Sequence, residues 1–145
     1  VPLPINQKGS RNEYFRALAN SYIISADGAH AVHPNKGEKA DPTSRPLVNR
    51  GLVIKLSANR SYTTDAATAA TFIQICEKAG VKTQRFVNRS DMRGGSTIGP
   101  ISSTHVSIRS IDIGLPMLAM HSIRELCGIE DHSAMLKVIQ ELYHS

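Results

Sequence analysis

The sequence predicts an α/β domain built on a partly parallel sheet. Three observations predict it. Apolar runs rich in β-branched residues alternate along the chain with segments whose apolar residues recur at helical spacing. Caps and turn residues punctuate most junctions between them. The chain has 145 residues, the size of one domain that can bury about two thirds of its unfolded surface.

Each element has its own justification. Ser10-Arg11-Asn12-Glu13 has the S-x-x-E form of a capping box. It predicts a helix over 11–20 with Tyr14, Phe15 and Leu18 inward. Tyr22-Ile23-Ile24-Ser25-Ala26 predicts a buried strand that ends in Asp27. Residues 29–50 are polar, contain Pro34, Pro42 and Pro46, and read as a loop. A loop of that length in a compact domain is usually functional or disordered. Leu52-Val53-Ile54-Lys55-Leu56 predicts the next strand. Thr63 or Thr64 can cap a helix that runs to Ala79 and stops at Gly80, with Ala69, Phe72, Ile73 and Cys76 on its apolar face. Residues 81–87 predict a third strand. Gly94-Gly95-Ser96 reads as a tight turn, with Ser96 capping a helix through Val106. Residues 108–113 predict a strand whose alternation Asp112 interrupts. A last helix over 131–143 places Met135, Leu136, Val138, Ile139 and Leu142 inside.

Composition narrows the function classes. Hydrophobic residues at 41% and charged residues at 20% exclude a collagen, a coiled coil and a wholly disordered chain. No run approaches ~20 apolar residues, so no membrane-spanning helix is expected, and no membrane partner. Seventeen Lys and Arg against twelve Asp and Glu give +5. The positive residues are scattered, Trp is absent and aromatics are sparse, so the balance reads as a solvated basic surface rather than a nucleic-acid platform. Cys76 and Cys127 stand far apart among apolar residues. They read as two buried free thiols, which fits a reducing cytoplasm. The opening Val-Pro-Leu-Pro-Ile has no signal-peptide pattern and no initiator Met. A start set by processing, cloning or truncation is expected.

Open α/β sheets bind ligands outside the carboxyl ends of their strands. Asp27, the Gly94-Gly95-Ser96 turn and His121 all fall at such ends in the predicted element order. Asp and His from separate strand ends are a start for a zinc site, and a glycine turn before a helix is a weak anion site. Plainer readings stand beside these. Asp27 caps a turn, or it binds a ligand. His30 and His33 are ligands, or two exposed loop histidines. His121 is structural, or it is a ligand. Lys55 snorkels from an edge strand, or it puts a cation in a pocket. Tyr62 fits a core rim, and His105, His132 and His144 read as ordinary helix residues. A Gly-x-Ser-x-Gly elbow, a Walker loop and a dinucleotide fingerprint are all missing.

Four ordered blocks add a family resemblance. Ser25-Ala26-Asp27-Gly28-Ala29-His30-Ala31-Val32-His33-Pro34-Asn35 resembles the S-A-D-x-A-H-A-x-H-P-N segment of the aspartyl aminopeptidases, the M18 metallopeptidase family. Arg45-Pro46-Leu47 with Gly51-Leu52-Val53-Ile54-Lys55 resembles the next block. Asp91 with Gly95-Ser96-Thr97-Ile98-Gly99-Pro100 resembles a third, and Met120-His121-Ser122-Ile123-Arg124-Glu125 the last. The similarity covers residues 10–145 and leaves 1–9 unmatched.

The resemblance implies a zinc-exopeptidase-like three-layer α/β sandwich with a mixed, partly parallel sheet, here incomplete. It implies a cytoplasmic enzyme that releases N-terminal Asp or Glu from peptides with two zinc ions. Asp27 would ligate one metal and His121 the other. His30, Lys55 and Tyr62 would contact substrate, Lys55 facing its acidic side chain and Tyr62 the tetrahedral intermediate. Gly28 replaces a residue that is often larger in the family, and Arg93-Gly94 replaces a more usual Pro-Cys.

The family's first metal histidine, bridging aspartate, Glu-Glu pair and inserted dimerisation domain lie upstream of the matched region. The chain therefore reads as the C-terminal part of a catalytic domain. Its general-base glutamate would lie outside this chain and its partner would be the missing N-terminal portion of the enzyme, with a homo-oligomer expected of the complete enzyme. Alone it would be inactive, since a catalytic zinc takes three protein ligands. The alternative is a non-catalytic peptidase-like domain for assembly or peptide binding.

Overall fold

A computed structural model describes residues 10–144; the unmatched segment 1–9 lies outside them. The first helix, α1 (Arg11–Ala19), begins with the expected capping box. Ser10 Oγ accepts from the Glu13 N–H, and the Glu13 carboxylate accepts from the Ser10 N–H at 2.5 Å. The inward face expected of it is absent. Tyr14 is 45% and Phe15 51% exposed, and α1 buries none of its residues.

Strand β1 (Tyr22–His30) is longer than its apolar run. Asp27, expected at the strand end, sits inside it, and His30 is its last residue. Pairing with β4 (Arg109–Leu118) explains the extension, because Asp27 lies opposite Gly114 and His30 opposite Met117. Strand β4 likewise outruns the predicted 108–113. The loop that follows β1 contains one 3₁₀ turn (Gly37–Lys39). It ends at a clamp: the N–H groups of Asn49 and Gly51 donate to the buried Asp131 carboxylate at 2.5 and 2.8 Å.

Strand β2 (Leu52–Leu56) has its predicted bounds. Helix α2 (Ala66–Lys78) is capped by Asp65, not by Thr63 or Thr64. Those threonines are taken by the Asp112 carboxylate and backbone. Gly80, at φ +67°, permits the left-handed turn that ends the helix. Strand β3 covers Thr83–Val87, shorter than the predicted 81–87. Helix α3 (Ile98–His105) starts after Thr97, and Ser96 does not cap it. A short β5 (Leu126–Cys127) precedes α4 (Ile129–His144). Met135 and Val138 of α4 are buried, whereas Leu136 is 53% exposed, contrary to expectation. Cys76 is buried as expected; Cys127 is exposed.

The sheet is mixed and partly parallel, with order β1-β4-β2-β3 and β5 beside β4. Strands β1 and β4 run parallel, as do β2 and β3, and the β4–β2 pair is antiparallel. Side chains alternate between faces. One face carries Leu52, Ile54, Ile111 and Ile113, packed on Phe72, Ile75 and Cys76 of α2 and Met135 and Val138 of α4. The Tyr22 phenol also bonds the Thr68 carbonyl of α2 at 2.7 Å, and burial pushes its pKa upward. The opposite face carries Asp112, against which Thr97 and α3 lie. Helix pair, sheet and α3 make three layers. The α/β class expected from the alternation is the one observed.

Candidate metal and substrate site

The face opposite the main core holds a cavity of about 580 Å³. Asp27, His30, Lys55, Tyr62 and His121 all line it, so one space gathers five residues drawn from three stretches of the sequence. It lies over the sheet face rather than wholly beyond the strand ends. Residues at and after the carboxyl ends of β1 and β4 line it from one side, and those of β2 and β3, which run antiparallel to β4, from the other.

Register explains how these side chains meet. Asp27 stands opposite Gly114, and Gly114 opposite Val53, two residues before Lys55 on the same face. Gly114 lets β1 lie close against β4, since a Cβ there would lie 2.7 Å from the Gly28 carbonyl carbon and 2.9 Å from the Ala29 Cβ. Across β4 the Lys55 ammonium pairs with Asp27 Oδ1. The two partners differ in solvation, since the Lys55 side chain is 5% exposed and that of Asp27 44%. The edge-strand reading of Lys55 fails, because β2 lies between β4 and β3. Its Nζ also stands 5.6 Å from the centre of the Tyr62 ring, within cation–π range.

Tyr62 is 8% exposed and packs on Phe86 at 6.5 Å between ring centres. Burial, then the charges of Asp27 and Asp112, raise the pKa of its phenol, which keeps it a hydrogen donor. His30 stands 6.2 Å from the same Phe86 ring. Burial lowers its pKa first, then His121 and Lys55 nearby, so at neutral pH its ring is neutral and offers one acceptor nitrogen. His121 lies beyond β4 in a loop at φ +66°, a backbone state rarely held by a residue with a Cβ. The Glu125 carboxylate holds that loop by accepting the His121 N–H at 2.6 Å.

Other contributors escaped the sequence reading. Glu125 was visible only as the end of the Met-His-Ser-Ile-Arg-Glu block, and Phe86 only as an apolar strand residue. The place of Gly28 is explained by its neighbours: a Cβ there would run into the Met117 thioether and lie 3.2 Å from Met120 Cε. His33, paired with His30 by spacing, is exposed and uses Nδ1 to accept the Asn35 N–H at 3.1 Å. The Gly94-Gly95-Ser96 turn lines the cavity, and Ser96 Oγ donates to the Ser61 carbonyl at 3.2 Å.

A carboxylate and an imidazole are donor types that zinc takes. Asp27 and His121 face the same cavity and fit in type, but not in number. Among the described residues no three His, Cys, Asp or Glu side chains are grouped to hold a metal ion.

The family model described as aminopeptidase I zinc metalloprotease (M18) matches residues 3–143. A probable M18 family aminopeptidase 2 of Clostridium novyi is 61% identical over 140 residues, which is 97% of this chain and 32% of that protein. A chain in the complex of Ape4 and Nbr1 superposes with TM-score 0.85 at 39% identity, over 87% of this chain and 24% of its own. The yeast (S. cerevisiae) mApe1 dodecamer gives 0.77 at 31%, over 88% and 27%. The chain spans about a third of the length of the curated relatives it matches. No described helix is long and apolar enough to cross a membrane.

Proposed function

This chain belongs to the M18 family of zinc metalloproteases, and on that premise we propose that it forms the substrate side of a two-zinc aminopeptidase site that releases N-terminal Asp or Glu. Asp27 ligates one metal and His121 the other. The metals, when bound, polarise the scissile carbonyl and supply hydroxide near neutral pH. The bridging carboxylate, the remaining ligands and the general-base glutamate come from outside these residues. The family's oligomeric habit and a cytoplasmic setting are part of the same reading; the mApe1 dodecamer supports the first.

The observation that carries the proposal is the buried Lys55 cation at the cavity floor. A buried ammonium is worth more to a carboxylate than one at the surface. That ammonium is paired with Asp27 here; with Asp27 serving a metal, the acidic side chain of a substrate would take its place beside Lys55. His30, held neutral, accepts a hydrogen bond within the same pocket, and Tyr62 donates its phenol proton toward developing negative charge.

The test is Lys55→Met in the zinc-loaded peptidase that contains this chain. We expect kcat/KM for Asp- or Glu-initiated peptides to fall about 100-fold or more, with little change for Ala-initiated ones. An equal fall for all peptides would refute the specificity role. The count of two donor side chains favours a second reading, a non-catalytic peptidase-like domain for assembly or peptide binding. Zinc-dependent turnover by the assembled protein would remove it.

A further inference from the structure

Asp112 is fully buried in β4 and faces away from the main core, yet it does not line the cavity. None of the ion pairs among the described residues includes it. A buried carboxylate is costly unless its lone pairs are met. Here they are met by one short segment and one threonine. Thr63 gives both its N–H, at 2.7 Å, and its hydroxyl, at 2.9 Å, to Oδ2. Thr97 gives its hydroxyl to Oδ1 at 2.6 Å. Thr64 Oγ1 accepts the Asp112 N–H at 3.0 Å. The space is cut for this group, because a Cβ on Gly99 would lie 2.6 Å from both carboxylate oxygens.

The partners matter more than their number. Thr63 directly follows Tyr62, whose ring lines the cavity. Thr97 ends the Gly94-Gly95-Ser96 stretch, which forms another part of the wall. One carboxylate therefore joins the segment that presents Tyr62 to the wall beside it, and both to the middle of the sheet.

We infer that Asp112 is a positioning residue of this site, fixing the Tyr62 ring in the cavity through Thr63 and Thr97. The inference rests on the reading that Tyr62 serves the reaction. A ring displaced by about 1 Å from its productive place costs on the order of 100-fold in rate. Asp112→Asn is the conservative variant. Its amide oxygen can serve Thr63 and its amide N–H₂ can donate to Thr97 Oγ1, so it should retain most of the activity that Asp112→Ala loses.

The test is a double-mutant cycle in the zinc-loaded peptidase containing this chain, using Asp112→Ala, Tyr62→Phe and the pair. We expect Asp112→Ala to lower kcat by about 100-fold with KM changed by less than about threefold. In the Tyr62→Phe background Asp112→Ala should cost almost nothing further. An additive loss, or a loss confined to KM, would overturn the inference. Should Asp112→Ala fail to fold, Thr63→Val replaces it; it removes one of the two Thr63 bonds and must show the same non-additivity. If Tyr62→Phe alone keeps full kcat, the catalytic reading of Tyr62 fails separately. Positioning is then decided by a structure of the available variant. Loss of the Tyr62–Phe86 ring contact supports it, and an unmoved ring refutes it.

Discussion

The two faces of the sheet are made by the same strands and do opposite work. Alternate residues of β2 show it most plainly. Leu52 and Ile54 meet α2 and α4 in the main core, while on the other face Val53 is buried with Tyr62 and Phe86 and Lys55 lines the cavity. In β4, Ile111 and Ile113 join the core and Asp112 turns the other way. On one face apolar area is removed from water without directional demands. On the other, buried polar groups take directed partners, as Lys55 and Asp112 do, with the Ser25 hydroxyl the exception among the described residues. Stability and chemistry are thus separated by a single residue step along a strand.

Substitutions can break that separation. Phe72→Ala, in the packed face, should destabilise the chain by about 3–5 kcal/mol in denaturant unfolding. Lys55→Met, in the other face, should change stability by about 1 kcal/mol or less. Asp27 is half exposed and stays hydrated without its partner, while the thioether fills the place of the lysine stem. Comparable losses at both positions would deny the division.

A smaller effect is expected at the seam between the faces, where Asp65 caps α2. Asp65→Ala should cost about 1 kcal/mol. The Thr68 N–H bond, ahead of the other causes, holds the Asp65 carboxyl below its ordinary 3.8. A folded-state value below the unfolded one makes the contribution complete above the unfolded value and lost as pH falls through the folded one. The gap between wild type and Asp65→Asn should therefore shift below about pH 4. A gap constant from pH 7 to 3 would rule out the charged cap. The smallest effect belongs to Leu136→Ser, on the outer side of α4, at about 0.5 kcal/mol or less. A large loss there would mean that the packed face extends further than α2, α4 and the sheet.

Much of the fold was legible where local chemistry is sufficient. The α1 capping box needs only Ser10 and Glu13, and β2 is a short apolar run broken only by Lys55, so both have their expected starts. Misreadings came where distant partners decide. Asp27 to His30 contain nothing strand-like, yet β4 pairs them into β1. Thr63 and Thr64 look like caps, but Asp112, far along the chain, claims them. Tyr14, Phe15 and Leu136 have helical spacing, which says that a face exists and not what covers it. Asp27, His30, Lys55 and His121 were readable from motif blocks, whereas Tyr62 lies in none of them. Their convergence on one cavity needed the register across Gly114, which no local pattern contains.

The sheet order has a consequence in time as well as in space. Strands β2 and β3, with α2 between them, are close neighbours in sequence and close a short loop to pair. Among the described residues strand β1 pairs only with β4, near the other end of the chain, so its closure carries the larger entropy. Asp27 and His30 arrive with β1. The hydrophobic core around β2 and α2 does not contain them, and the cavity they line is complete only once β1 has paired with β4.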